Sequence, residues 1–230
     1  EMKGSSYAYG MHARSASGLN SIDSSGHVGV SASGYTAHAL YTDSGKNDIS
    51  AGSVTLEANG QYGAYGMNAD GWSGTFSNSV TADENVRITA NSDLGLDAAG
   101  MRASTTGDGA GNTITAGGTV DIQAEGKGNA YAVLASGGKA VNTIEAQGDV
   151  TLTATASSTA AAMYGDGYGG VNTAGGNDVT LSAEGKTAYG MHTSGYSGRE
   201  GRNIIEASDD VSITATGATL ARGMSSGQYG

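Results

Sequence analysis

Apolar residues recur along the chain in three short patterns, separated by segments rich in glycine and serine. The first pattern, Ala-x-(Gly/Ala)-(Met/Leu/Val), occurs eight times and ends on an apolar anchor residue. The anchors are Met11, Leu40, Met67, Met101, Val133, Met163, Met191 and Met224. Because they are spaced by 27 to 34 residues, the chain is an internal repeat with a period of about 30 residues.

Two further patterns follow each of the first seven anchors. One is Asn-x-apolar, and its asparagines are Asn20, Asn47, Asn78, Asn112, Asn142, Asn172 and Asn203. The other is Val-x-(Val/Leu/Ile)-x-Ala, whose copies begin at Val28, Val54, Val86, Val120, Val150, Val179 and Val211. Each pattern alternates with a period of two over about five residues, which predicts a short strand with one buried face.

Each repeat contains three strands, and no segment has the periodicity of a helix. The simplest architecture for such a repeat is a stack of equivalent strands. Each strand pairs with its equivalent in the next repeat, parallel and in register, and the crossover rule favours a right-handed coil. The sequence therefore predicts an all-β, right-handed parallel β-helix, a three-sided solenoid of about seven coils. We expect residues 1–230 to form a single solenoid segment. Since the repeats begin and end part-way through a unit, we expect this segment to be a fragment of a longer rod.

The length variation between repeats falls mainly between the first and second strands. The segments there are 14–19, 43–46, 70–77, 104–111, 136–141, 166–171 and 194–202. We expect them to project as loops from one corner of the rod. Their bulky residues are Trp72, Phe76, Tyr168 and Tyr196, which are candidate binding residues. The alternative is that Trp72 and Phe76 fold back over the coil as a local minicore.

The repeated asparagine has the same inward phase as the apolar residue that follows it. A lone buried amide would be costly, but amides stacked one strand apart can bond to each other. We therefore predict a structural ladder of Asn20, Asn47, Asn78, Asn112, Asn142, Asn172 and Asn203 at one corner of the coil.

The first pattern places its alanine and its anchor out of phase, so a kink at the Gly/Ala position is expected. Two outward columns would flank this kink. The first is Tyr9, His38, Tyr65, Ala99, Tyr131, Ala161, Tyr189 and Arg222, and the second is His12, Tyr41, Asn68, Arg102, Leu134, Tyr164, His192 and Ser225. Tyr65, Tyr131 and Tyr189 are thus candidates for contact with carbohydrate or protein. Alternatively, the tyrosines only cover a glycine-rich kink.

Composition narrows the classes further. The chain has 40 glycines, no proline, no cysteine and a net charge of −11. Absence of cysteine excludes a disulfide scaffold and thiolate metal sites. Glycine without proline or a three-residue period excludes collagen. An acidic chain should repel phosphate backbones, so no nucleic-acid partner is expected. No apolar run approaches the ~20 residues of a membrane span, so we do not expect this segment to be membrane-embedded.

The sequence contains few combinations of residues that would indicate catalysis or metal binding. Ser, His and Asp do not recur together, and no acidic pair recurs on the third-strand face, as glycoside cleavage would need. Asp149, Asp178 and Asp210 occupy equivalent turn positions, where they are solvated turn residues or calcium ligands. We favour the turn interpretation and expect no catalytic residues, no metal and no cofactor.

The repeats Ala64-Tyr65-Gly66-Met67, Asn-x-Ile and Asp149–Ala154 resemble the passenger domains of bacterial type V autotransporters, of the pertactin-like or adhesin type. The resemblance extends from Tyr7 to Met224. It implies a right-handed β-helix exported to the outer-membrane surface of a Gram-negative bacterium. Many members act as adhesins, in autoaggregation or in biofilm formation, and some are proteases or toxins. The lack of cysteine fits passage through an oxidising periplasm.

The resemblance implies a non-enzymatic cell-surface adhesin or stalk segment, whose rigid rod displays loops to host cells, matrix or other bacteria. Its partner would be a host or bacterial surface protein or a glycan. Two alternatives remain. One is a polysaccharide lyase or hydrolase on a pectate-lyase-like coil, and the other is a self-association module for autoaggregation.

Overall fold

The computed structural model describes residues 2–3, 6–14, 18–95, 97–107, 109–196 and 201–229. These residues form strands and turns, without a helix. None of the described residues forms a helix long and apolar enough to cross a membrane. The strands are Met2–Lys3, Tyr7–Ala13, Gly18–Thr42, Gly45–Gly71, Thr75–Ala82, Val86–Ser92, Ala98–Thr105, Gly109–Ala116, Val120–Gly126, Ala130–Gly137, Ala140–Ala146, Val150–Ala156, Thr159–Gly167, Val171–Gly176, Val179–Tyr196, Arg202–Ala207 and Val211–Tyr229.

Every pairing is parallel and joins a strand to its equivalent one coil further along the chain. The alanine of the first pattern forms one continuous column, in which Ala8 pairs with Ala37, Ala37 with Ala64, and so on to Ala221. The asparagines and the third-pattern valines form two more such columns. The predicted β-solenoid of about seven coils is confirmed, with three strand segments in each coil.

The connections between the first and second strands are shorter than the sequence predicted. In 70–77, for example, one strand runs to Gly71 and the next begins at Thr75, which leaves residues 72–74 as the turn. Strand pairing likewise continues to Gly137 and Gly167 in later coils. The prediction of long projecting loops was therefore wrong, because backbone pairing between coils extends into the glycine- and serine-rich segments.

The interior has one large core and smaller alanine clusters at the corners. Anchor residues, second-strand isoleucines and third-strand valines and leucines form the large core along the rod. The first-pattern alanines pack instead against the alanine that ends the third strand, as Ala64 does with Ala58. A further cluster lies at the turn after the first strand and contains Ala103, Ala110, Ala135 and Ala140. Small side chains at these corners let the backbone bend tightly around the core.

The kink in the first strand is confirmed in the inner coils, because both the alanine and the anchor that flank it are buried from Ala37 and Leu40 to Ala188 and Met191. The kink residue also varies with the middle residue of the following third strand. A Cβ on Gly100 would overlap the Cγ2 atom of Ile122, and Cβ atoms on Gly10, Gly66 and Gly190 would overlap Val30, Ile88 and Ile213 in the same way. The pairs are Gly10 with Val30, Ala39 with Leu56, Gly66 with Ile88, Gly100 with Ile122, Ala132 with Leu152, Ala162 with Leu181 and Gly190 with Ile213.

Glycine thus accompanies valine or isoleucine, and alanine accompanies leucine, in all seven coils. A β-branched side chain carries a second carbon on Cβ, which fills the space above the kink. Leucine branches one atom further out, which leaves room for a methyl group there. Since protein interiors are close-packed, each coil accommodates only one of the two combinations.

The predicted asparagine ladder is confirmed. Each Nδ2 donates to the Oδ1 of the next asparagine, from Asn20 to Asn203, at 2.7 to 3.0 Å. Each Nδ2 also donates to the backbone carbonyl just after the following coil's anchor, as Asn112 does to Leu134 at 2.8 Å. The central amides are fully buried, so the ladder satisfies polar groups that would otherwise be costly inside the rod.

Asp149, Asp178 and Asp210 also form a chain of contacts between coils. The backbone N–H of Asp178 donates to the Asp149 carboxylate at 3.4 Å, and that of Asp210 donates to Asp178 at 3.0 Å. These contacts support the interpretation as turn residues rather than calcium ligands.

Candidate binding trough

The tyrosine columns pack against each other instead of standing free. Tyr65 is half-buried, with the ring of His38 at 4.8 Å on one side and the Arg102 guanidinium at 5.8 Å. Tyr131 and Tyr189 are also half-buried, and both lie edge-on to Tyr164, with centroids 5.4 and 6.3 Å away. These contacts support the interpretation in which the tyrosines cover the kink, since each packs against aromatic or basic side chains of neighbouring coils.

The sequence predicted that both columns flanking the kink face outward. In the structure, some of their side chains are buried. His38, Asn68 and His192 are buried, with 5%, 2% and 6% of their surfaces exposed. Stacking at the spacing of adjacent strands, about 4.8 Å, lets large rings cover the smaller side chains between them. Outward phase within a single strand therefore does not give exposure in a solenoid.

The bulky residues predicted in the loops have different fates. Phe76 is 2% exposed and its ring lies against Gly71, so it is a packing residue and not a surface contact. Its predicted binding role was wrong, because Phe76 is the second residue of the strand Thr75–Ala82 and falls on the face that points to the interior. Trp72 and Tyr168 are exposed at 85% and 52%. The side chain of Tyr196 lies outside the described part of the chain.

A trough runs along the rod between these two exposed aromatic residues. It consists of a groove of about 700 Å³ and a smaller one of about 270 Å³, which share Thr105, Thr106 and Ser136 as lining residues. We call one set of lining residues the floor, and it comprises Asp43, Asp70, Ser104, Ser136 and Asp166. Trp72 and Tyr168 form what we call the rim.

The floor residues stand in one column, each three positions after an anchor. Asp70 pairs with Ser104, Ser104 with Ser136, and Ser136 with Asp166 in the strand register. Asp43 follows directly after Thr42, the register partner of Ala69, and so extends the column by one coil. The repeat patterns in the sequence did not reveal this column, although its spacing from the anchors is regular. The floor therefore presents one carboxylate or hydroxyl per coil.

Two of the floor carboxylates are held in place by basic side chains. The Asp43 carboxylate lies 3.4 Å from His12 Nε2 and 3.5 Å from Arg14 Nε. Asp70 lies 3.1 Å from Arg102 Nη1. Partial burial works to raise the pKa of Asp43, but hydrogen bonds from Tyr41 and His12 and the charges of His12 and Arg14 outweigh it and lower that pKa. Asp43 is thus a fixed, charged hydrogen-bond acceptor.

Two rings of the columns that flank the kink, buried His38 and half-buried Tyr131, have shifted pKa values. Burial lowers the pKa of His38 to about 3, and the nearby charges of Arg102 and His12 add to this effect. Burial, followed by the charges of Asp97 and Asp166, raises the pKa of Tyr131 to about 12. Both side chains are therefore neutral at physiological pH, so the charge near the trough lies on the floor and on the basic side chains that pair with it.

One side-chain and two backbone hydrogen bonds between successive turns connect the rim residues. The Thr106 hydroxyl donates to the Trp72 carbonyl, Gly138 N–H donates to Gly107 at 2.9 Å, and Tyr168 N–H donates to Gly138 at 3.0 Å. The turns that carry Trp72 and Tyr168 are linked through this series of contacts. The rim is consequently part of the stacked framework rather than a set of independent loops.

A second groove, of about 900 Å³, lies at the corner after the third strand. Asn59, Asn91, Leu94 and Glu125 are among its lining residues, and the described side chains that line it include no aromatic ring. Leu94 is 56% exposed there, which makes it a suitable control position for the trough. Among the described residues, no three His, Asp or Glu side chains converge in a way that could hold a metal ion.

Comparison of the chain with protein-family models, curated proteins and solved structures gave no match.

Proposed function

We propose that this chain is a non-enzymatic adhesin or stalk segment, a rigid rod that binds a surface partner through the trough. The observation that carries the proposal is the pair of exposed aromatic residues, Trp72 and Tyr168, bordering one polar trough. Tryptophan and tyrosine are enriched in binding interfaces relative to the rest of the protein surface.

The proposed setting is the surface of a Gram-negative bacterium, as part of a type V autotransporter passenger. The resemblance of the repeats to such passengers supports this setting, and the β-solenoid is compatible with it. Rigidity suits the role, because coil-on-coil stacking and the buried asparagine ladder hold the trough in one shape without a ligand. A preformed site loses less conformational freedom on binding.

An adhesion assay tests this function. Beads coated with the protein are applied to host epithelial cells and to bacterial cells, and bound beads are counted. We expect the Trp72→Ala/Tyr168→Ala variant to lose at least tenfold in adhesion, whereas Leu94→Ala retains it. All three proteins should have the same unfolding midpoint, because these side chains are exposed. Equal adhesion by the double variant and wild type would refute binding through the trough.

A hydrolase is the second candidate, because Asp43 and Asp70 line the trough on neighbouring coils. Glycoside cleavage uses two carboxylates, of which one is protonated to act as a general acid. The lowered pKa of Asp43 makes it unsuitable as that acid. Incubation with neutral and acidic polysaccharides, followed by a reducing-end assay, should show no release above a boiled control. Release that is abolished by Asp70→Asn would establish the hydrolase instead.

A further inference from the structure

The floor of the trough repeats with the period of the coil. Adjacent strands in a sheet are about 4.8 Å apart, so the four steps from Asp43 to Asp166 extend over about 19 Å along the rod axis. Each step presents an oxygen that accepts hydrogen bonds, from a carboxylate or a serine hydroxyl. A ligand matched to this floor is a linear polymer that offers hydroxyl donors at a similar interval.

The chemistry of the floor favours a sugar chain. Two of its carboxylates, Asp43 and Asp70, pair with Arg14 and Arg102, and ionised acceptors make the stronger hydrogen bonds to hydroxyl groups. The exposed ring of Trp72 can pack on the C–H face of a sugar ring, because the aromatic face is electron-rich and the C–H bonds are weakly positive. The hydroxyl groups at the edge of the sugar ring would then contact the floor, while its apolar C–H face would contact the rim.

The charge pattern favours a neutral sugar chain. Asp43, Asp70 and Asp166 place three carboxylates in the floor, Arg14 and Arg102 pair with two of them, and the whole chain carries −11. An acidic polysaccharide would be repelled on approach and would place its carboxylates or sulfates beside those of the protein. A protein partner is a poorer fit, since a stable protein interface buries about 800 Å² on each side and the trough consists of two grooves of about 700 and 270 Å³.

We propose that the trough binds a neutral linear polysaccharide chain lying parallel to the solenoid axis, with successive sugar units facing successive coils. This proposal rests on the proposed binding function and adds the class and direction of the ligand. Asp166 then contacts only a chain that is long enough to reach from Trp72 across the intervening coils. The loss of affinity caused by a substitution at Asp166 should therefore depend on the length of the sugar chain.

Calorimetry with β-1,4-linked glucose and N-acetylglucosamine oligosaccharides of one to six units tests the proposal. We expect affinity for at least one series to rise at least tenfold between two and four units and then to level off. Asp166→Asn should weaken binding of the longer oligosaccharides about tenfold and change the affinity for two units little. Leu94→Ala should match wild type at every length, and heparin oligosaccharides should bind more weakly.

Equal affinity for two and six units, a loss in Asp166→Asn that is the same at all lengths, or binding confined to the acidic series would overturn the proposal. Failure of both neutral series to bind would also overturn it. The adhesion assay separates this outcome from failure of the binding function. If adhesion still depends on Trp72 and Tyr168, the trough is a binding site for a ligand other than a neutral glycan.

Discussion

At the scale of single residues, buried polar side chains set much of the stability of the rod. Asn112 is fully buried, accepts from Asn78, and donates to Asn142 and to the Leu134 carbonyl. Removing it takes one hydrogen bond each from the Asn78 amide, the Asn142 Oδ1 atom and the Leu134 carbonyl. Unsatisfied buried groups each cost about 1–3 kcal/mol, whereas an exposed amide can exchange its partner for water.

Asn112→Ala should therefore lower the free energy of unfolding by roughly 2–4 kcal/mol, as measured by urea denaturation. Asn91→Ala is the matched control, because Asn91 donates to Asn59 in a similar stack on the partly exposed outer surface. We expect that control to cost less than about 1 kcal/mol. A similar decrease in the free energy of unfolding in the two variants would show that the buried ladder contributes no more to stability than the outer pair of asparagines.

His38 should make stability depend on pH. Its folded-state pKa of about 3 lies below the unfolded value of about 6.5. Above pH 6.5 the histidine is neutral in both states and contributes no slope. Below pH 6.5 the unfolded chain binds a proton that the folded chain does not, so stability falls as the pH falls towards 3.

The measurement is the unfolding free energy of wild type and His38→Phe at pH 7 and pH 5. Phenylalanine keeps an aromatic ring between Tyr9 and Tyr65 but does not titrate. Wild type should lose roughly 1–2 kcal/mol more than the variant over this interval. The difference between the two proteins is decisive, because the lowered pKa values of Asp43 and His192 act in the same direction in both. Parallel pH profiles would contradict the burial of a neutral His38.

At the scale of strands, packing between the kink and the third strand links distant positions in each coil. A methyl group added at Gly100 would overlap Ile122 Cγ2 and approach the Ala132 carbonyl oxygen at 2.7 Å. Overpacking of this kind costs about 1–3 kcal/mol. Coils with alanine at the kink have leucine at the third-strand position, which indicates the compensating change.

Gly100→Ala should therefore destabilise the protein by about 1–3 kcal/mol, and Gly100→Ala/Ile122→Leu should recover at least half of that loss. A double-mutant cycle from denaturation curves measures the coupling. Ala132→Gly, in a coil with leucine, serves as the control without a clash. Additive effects of the two substitutions would refute the packing rule.

Most of the fold could be predicted from the strand patterns. Alternation and spacing predicted the strand registers, the kink and the asparagine ladder, since each depends on phase within a repeat. The burial of Phe76 and His38 was not predictable in this way, because it depends on how neighbouring coils cover a column. The floor of the trough was missed for a different reason. Asp and Ser are ordinary turn residues, so their alignment became meaningful only when strand pairing was seen to continue into the turns.

At the scale of the whole molecule, the solenoid is a stack of equivalent coils, so one coil can be removed without changing the register. Val86 pairs with Val120, and Val179 pairs with Val211. Deletion of 86–119 or of 179–210 therefore joins equivalent positions. The first deletion removes Ser104 from the floor, whereas the second leaves the floor from Asp43 to Asp166 intact.

Both deletion variants should fold, because repeat proteins depend on interactions between neighbouring units. Circular dichroism should show β structure in each, with a lower unfolding midpoint than wild type. Adhesion should fall at least tenfold on deletion of 86–119 and persist on deletion of 179–210. Loss of adhesion in both variants, with both folded, would argue against a site confined to the trough.

Fluorescence quenching of Trp72 tests the central claim most directly, because this residue is the single tryptophan of the chain and lies exposed on the rim. The protein is titrated with four-unit β-1,4-linked glucose and N-acetylglucosamine oligosaccharides, and quenching by acrylamide is measured at each concentration. We predict a blue-shifted emission and at least a twofold, saturable drop in quenching with a ligand that binds, as the ring becomes covered. Unchanged emission and quenching at a ligand concentration that saturates the protein by calorimetry would contradict binding in the trough.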